Sequence, residues 1–195
     1  GNVKIILKGA CAEITEKKSR FIASVESVHS QDEADGFIQH TKKQFWDARH
    51  NCSAMILGER GEFSRSSDDG EPSGTAGRPM LSVLAGEHLT DVCVVVTRYF
   101  GGILLGAGGL VRAYTKGAKI AVDAAGKSMK RVWTVLYVPC PYTFYERVKL
   151  LVTECEGIIR QTDFGAEVEL ELLFPEALAD AFLEKLTDMT SGTVE

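Results

Sequence analysis

No stretch of this 195-residue chain approaches the ~18–20 consecutive apolar residues that a membrane-spanning helix needs; its longest apolar runs are of the kind Val92-Cys93-Val94-Val95-Val96. No charged-then-apolar leader opens it, so a cytoplasmic location is expected. Metal-ligand spacing is missing too. The five cysteines, Cys11, Cys52, Cys93, Cys140 and Cys155, form no CxxC pair, and the four histidines, His29, His40, His50 and His88, no HxxxH or HExxH. We read the thiols as reduced and expect neither zinc nor a disulfide. Nucleotide signatures fail as well: no Lys-Ser or Lys-Thr follows Gly102 to Gly108, and Val111 stands where a dinucleotide fingerprint has its third glycine. No Ser or Cys occupies a nucleophile elbow, since Cys52 alternates into a strand and Ser73 lies in a loop. No catalytic residue, cofactor, internal repeat or DNA-specific motif emerges.

What is present is an ordinary globular composition, 45% hydrophobic and 25% charged, with 22 Lys plus Arg against 27 Asp plus Glu. The net charge of −5 hides a step. Residues 1–130 carry 17 basic and 15 acidic side chains, or +2, and residues 131–195 carry 5 and 12, or −7. Partner arguments therefore have to be made segment by segment.

Patterning predicts an α+β protein of two domains, 1–128 and 131–195. Ala10–Glu16 and Arg20–Val28 read as a hairpin turning at Lys17-Lys18-Ser19. Ser30 or Asp32 caps a helix that reaches about Gln44 through Ala34, Phe37, Ile38 and Thr41. Asn51–Leu57 and Glu62–Arg65 read as strands, a polar loop follows from Ser66 to Gly77, and a short helix spans Pro79 to Gly86. Asp91–Thr97 suits a strand buried on both faces. After Gly106-Ala107-Gly108-Gly109 a long helix begins at Leu110 and closes at Gly126. The last third reads β-α-β-β-α-β: Val132–Val138, Tyr142–Cys155, Ile158–Phe164, Glu167–Phe174, Pro175–Thr187 and a final strand from Ser191. That is the order of a ferredoxin-like split βαβ unit.

Three polar clusters adjoin strand or helix ends. The first is Arg49-His50-Asn51, where His50 suits a base or an anion donor. The second contains Asp68, Asp69 and Glu71, three carboxylates able either to hold Mg²⁺ or to cap the helix at Gly77-Arg78. The third is Arg98-Tyr99-Phe100-Gly101-Gly102 with Gly106 to Gly109 and Arg112, where glycines admit close backbone approach and arginines grip an anion. Lys17, Lys18, Arg20, Lys42, Lys43 and Arg78 are candidates for a basic face, with Tyr99 and Tyr114 for base stacking.

The runs Asp68-Asp69-Gly70-Glu71-Pro72-Ser73-Gly74-Thr75-Ala76-Gly77-Arg78-Pro79 and Thr97-Arg98-Tyr99-Phe100-Gly101-Gly102-Ile103-Leu104-Leu105-Gly106-Ala107-Gly108-Gly109-Leu110 closely resemble the signature of the IMPACT family, bacterial YigZ-like branch. Lys17-Lys18-Ser19-Arg20-Phe21-Ile22 and Asp47-Ala48-Arg49-His50-Asn51-Cys52 match its upstream blocks in order. The resemblance implies an N-terminal domain like the second domain of small-subunit ribosomal protein five, and a ferredoxin-like C-terminal domain like one of elongation factor G. Eukaryotic relatives are similar to translational regulators that bind the activator of a starvation-responsive initiation-factor kinase, in part through an additional domain. That partner does not carry over to the bacterial branch.

The leading expectation is a non-enzymatic regulatory protein binding RNA or a ribosome-associated partner. Its groove is expected to collect Arg49, His50, Asp68, Asp69, Glu71, Arg98, Tyr99 and Arg112 over a floor of Gly101, Gly102, Gly108 and Gly109. The alternatives are a Mg²⁺-dependent enzyme acting on a phosphorylated small molecule or nucleotide, and a pure protein-binding module.

Overall fold

The computed structural model describes residues 3–192 of a mixed α+β chain. It falls into two compact units, Gly1–Lys130 and Arg131–Glu195. The first runs β1 (Lys4–Ile6), β2 (Ala10–Glu16), β3 (Ser19–Ser27), α1 (Gln31–Gln44), β4 (His50–Leu57), β5 (Phe63–Ser67), α2 (Gly77–Gly86), β6 (Val92–Tyr99), α3 (Gly106–Ala125) and β7 (Lys127–Met129). Five strands form one antiparallel sheet in the order β2-β3-β6-β4-β5.

The apolar run of β6 lies at the middle of that sheet and is buried on both faces. Successive side chains of a strand point to opposite sides, so Val92, Val94 and Val96 join the core with Met80 and Leu84 of α2 and Tyr114 and Ala118 of α3. Cys93 and Val95 join a second core with Ala34 and Ile38 of α1. Ser30 caps α1: its hydroxyl accepts from the Glu33 N–H at 3.1 Å, and the Glu33 carboxylate returns to the His29 N–H.

Among the departures from expectation, three have a local reason. First, β6 continues past Thr97 to Tyr99, because Arg98 and Tyr99 still pair with Phe21 and Arg20 of β3. Second, α3 begins at Gly106 rather than Leu110. The first helical N–H groups need no intrahelical partner, so glycines are tolerated there, and Leu105 stands at the cap without a side-chain hydrogen bond. Third, β1 and β7 pair with each other across the whole unit; three residues apiece are too few to show a period.

The second unit runs β8 (Trp133–Cys140), α4 (Tyr142–Glu154), β9 (Ile158–Phe164), β10 (Val168–Pro175) and α5 (Glu176–Thr190). Its antiparallel sheet has the order β8-β10-β9. One face packs Val168, Leu170 and Leu172 against Val148, Val152, Phe182 and Leu186 of the helices. Pro175 occupies the cap position of α5 rather than its first turn. Of the final strand expected from Ser191, Ser191 forms the left-handed cap of α5 and Gly192 a turn; residues 193–195 lie outside the described residues.

Glu87, just past α2, bridges Lys119 of α3 and Lys127 of β7. Hydrogen bonds from these two ammonium groups hold its carboxyl down at about 2, against an ordinary 4.5. A depressed carboxylate adds stability above its unfolded value, and that contribution is lost as pH falls through the folded one. The urea midpoint is therefore expected to fall between about pH 4.5 and 2, and Glu87→Gln to flatten part of that slope. An identical slope in the variant would contradict the assignment.

Candidate functional site

The loop between β5 and α2 is shaped by its own carboxylates. Asp68 accepts from the N–H groups of Gly74, Ala76 and Gly77 at 2.9, 3.1 and 2.8 Å, closing the loop and capping the start of α2. Burial opposes its ionisation, but these three donors and nearby Arg78 outweigh that and hold its carboxyl below the usual range. Asp69 accepts from the Asn51 N–H at 2.8 Å, tying the loop to β4. Glu71 turns inward and is almost wholly buried.

Glu71 receives Arg98 in a two-point contact, Nε to Oε2 at 2.6 Å and Nη2 to Oε1 at 2.7 Å. Tyr114 donates its hydroxyl to the same carboxylate at 2.5 Å. His50 pairs in register with Arg98; its Nδ1–H donates to the Asp69 carbonyl at 2.9 Å, and its Nε2 lies 3.6 Å from Glu71. Beneath them the Cys52 thiol donates to the Asp68 carbonyl at 3.0 Å. Burial pushes that thiol up to about 12 and also raises the Tyr114 phenol. Neither group is ionised near neutral pH.

Above this network opens a cleft of about 620 Å³, lined by Asp47, Arg49, His50, Glu71, Pro72, Arg98, Tyr99, Phe100, Leu104, Leu105, Gly106, Ala107 and Leu110. The Tyr99 hydroxyl donates to Asp47 at 2.7 Å, and the Arg20 guanidinium lies over the Tyr99 ring at 5.5 Å. Phe100 and Leu104 form an apolar wall that is open to solvent, at 55% and 82% exposure. Such a wall is the feature that most distinguishes this cleft from an anion pocket.

The structure thus brings together Arg49, His50, Glu71, Arg98 and Tyr99. Asp68 and Asp69 lie behind the cleft as fasteners of the loop. Arg112 is exposed on α3, its guanidinium folded back toward Gly108 and Gly109. Gly101, Gly102, Gly108 and Gly109 do not line the cleft; Gly106 and Ala107 do. The expectation of base stacking by Tyr114 is corrected, because that ring is fully buried against Phe21. The Mg²⁺ alternative meets carboxylates that diverge to separate tasks, and among the described residues no group of three or more His, Cys, Asp or Glu is placed to hold a metal ion.

Gly101 has a different role. It donates its N–H to Ser19 Oγ at 3.1 Å, and a Cβ there would fall 2.0 Å from the Lys18 carbonyl oxygen. The turn joining β2 to β3 packs on the segment that carries the cleft wall only because this residue has no side chain. Gly101→Ala is expected to cost about 1–3 kcal/mol, a few degrees of melting temperature. A thermal melt matching the parent would show that the turn yields freely.

The family model described as the Impact N-terminal domain matches residues 17–122, which include every residue of the cleft. A second model, a domain of unknown function (DUF1949), matches residues 138–193. The chain belongs to the IMPACT family. It is 42% identical over 180 residues to the IMPACT family member YvyE of Bacillus subtilis, covering 92% of this chain and 83% of that one. IMPACT family member YigZ of Escherichia coli is 37% identical over 181 residues, 92% of this chain and 89% of the relative. A crystal structure of a hypothetical protein superimposes with a TM-score of 0.63 at 34% identity, covering 100% and 95% of the two chains. The IMPACT blocks read from the sequence fall on the β2–β3 turn, the start of β4, the carboxylate loop and the β6–α3 connection. Asp47, Phe100, Leu104, Leu105 and Leu110 were not singled out as site residues, although all five fall within or beside those blocks.

Proposed function

We propose that the chain is a non-enzymatic regulatory protein linked to translation, docking a ribosome-associated protein in the cleft beside Leu104. The observation that carries this reading is the composition of the cleft wall. Arg98 and Glu71 satisfy one another there, while Phe100 and Leu104 stand exposed. A phosphate chain draws its affinity from charge and would leave Phe100 and Leu104 uncovered, whereas a protein partner gains from covering exposed apolar side chains. The link to translation rests on family membership, because the eukaryotic relatives are similar to translational regulators. The non-enzymatic part is supported by the protonated Cys52 thiol and by three loop carboxylates already engaged by the fold.

The finer architecture belongs to the same proposal. The β-α-β-β-α order and the strand order β8-β10-β9 support a ferredoxin-like second unit. The likenesses to a ribosomal protein domain and an elongation factor domain are supported by the sequence blocks alone. A cytoplasmic location accompanies this function.

The test is sedimentation of the full chain with purified bacterial ribosomes through sucrose at about 0.05 and 0.2 M salt. Binding led by apolar contact should weaken only a few-fold across that interval. Phosphate-led binding falls by about 10³ or more there when six or more phosphates are contacted. A collapse of that size would favour the RNA reading, and no ribosome-bound fraction at either salt would overturn the link to the ribosome.

A further inference from the structure

We infer that the segment recognised by this cleft is an acidic peptide bearing a large apolar anchor, an inference that rests on the docking reading above. The anchor sits against Phe100 and Leu104, and the carboxylates face Arg49 and the Lys17-Lys18 turn.

The turn and the apolar wall form one continuous surface. Ser19 accepts from the Gly101 N–H, and Gly101 leaves no room for a Cβ against Lys18. Arg20 covers the ring of Tyr99, which itself lines the cleft. Lys18 therefore lies against Gly101, the residue after Phe100, with Lys17 before it in the same turn, and Arg49 lines the cleft just ahead of β4.

The charges on this surface do not cancel. Lys17, Lys18 and Arg49 are exposed, and among the described residues none has a carboxylate within ion-pair distance. Of the two carboxylates that line the cleft, Glu71 is matched by Arg98, and Asp47, which accepts from the neutral Tyr99 hydroxyl, leaves one negative charge against the three positive ones. The uncapped start of α3 adds to the same sign, because Gly106 and Ala107 face the cleft at its positive pole. A positive surplus around exposed aliphatic side chains complements an acidic, apolar-anchored chain. A nucleic acid would use the charge but leave Phe100 and Leu104 unused, and the Tyr99 ring is already covered by Arg20.

The experiment measures fluorescence anisotropy of short labelled probes with the full chain. The probes are a peptide mixing Asp and Glu with Leu and Phe, the same peptide with its apolar residues changed to Ser, the same peptide with its acids changed to Lys, and oligouridylate. The acidic apolar peptide should bind about tenfold or more tighter than each of the others. Arg49→Glu and Lys17→Glu should each weaken it several-fold; both side chains are exposed, and a thermal melt verifies the fold of each variant. Equal binding of the basic peptide would overturn the charge assignment. Equal binding of the serine peptide would overturn the anchor, and tightest binding of oligouridylate would overturn the peptide class altogether. If charge makes no difference while ribosome sedimentation still depends on Leu104, this inference fails and the docking reading stands. If ribosome sedimentation ignores Leu104, the docking reading itself fails.

Discussion

Glu71→Ala is expected to lower the unfolding free energy by about 3–5 kcal/mol. The carboxylate is buried and holds three donor contacts, two from Arg98 and one from Tyr114. Removing it leaves the guanidinium, whose side chain is only 11% exposed, without a counter-charge. The Tyr114 hydroxyl loses its acceptor inside the core at the same time. Because the penalty comes from the orphaned partner, Glu71→Leu combined with Arg98→Met should recover much of the loss. Urea unfolding of the parent, the single variant and the double variant checks both statements. A single-variant loss below about 1 kcal/mol would mean that water reaches Arg98 freely.

Leu104→Asp should do the opposite, leaving stability unchanged and weakening docking. With 82% of its surface exposed, Leu104 makes little contribution to the core. As an interface anchor it is expected to carry about 2 kcal/mol or more, or roughly a 30-fold loss of affinity when it becomes a charge. The substitution also brings a carboxylate into a cleft proposed to receive carboxylates, which adds repulsion to lost contact. Ribosome sedimentation reads the affinity, and a melting curve superimposable on the parent's excludes unfolding. A destabilised variant, or one that still sediments fully, would separate Leu104 from any docking role.

Much of the fold was legible because its signals are local. The uninterrupted run of β6 implied burial on both faces, and Ser30 was one of the two caps that the sequence offered for α1. Capping by Asp68 was one of two options its loop offered, and only the positions of Gly74, Ala76 and Gly77 decided between them. The character of the cleft was less legible, because it depends on contacts between distant segments. Arg98 reads as a free anion ligand until Glu71, 27 residues away in the chain, folds onto it. Tyr114 reads as a stacking ring until the fold buries it against Phe21. Ile103-Leu104-Leu105 has no period that says which side chains face solvent: Ile103 and Leu104 are exposed, while Leu105 packs on the core. The place of this segment depends in part on a contact between Gly101 and Ser19, 82 residues apart.

The most direct test is hydrogen exchange of the full chain with and without purified ribosomes. The account predicts slowed exchange at residues 98–110 and at the 17–20 turn, with no change at residues 142–164. Protection confined to residues 131–192, or absent from 98–110, would contradict it.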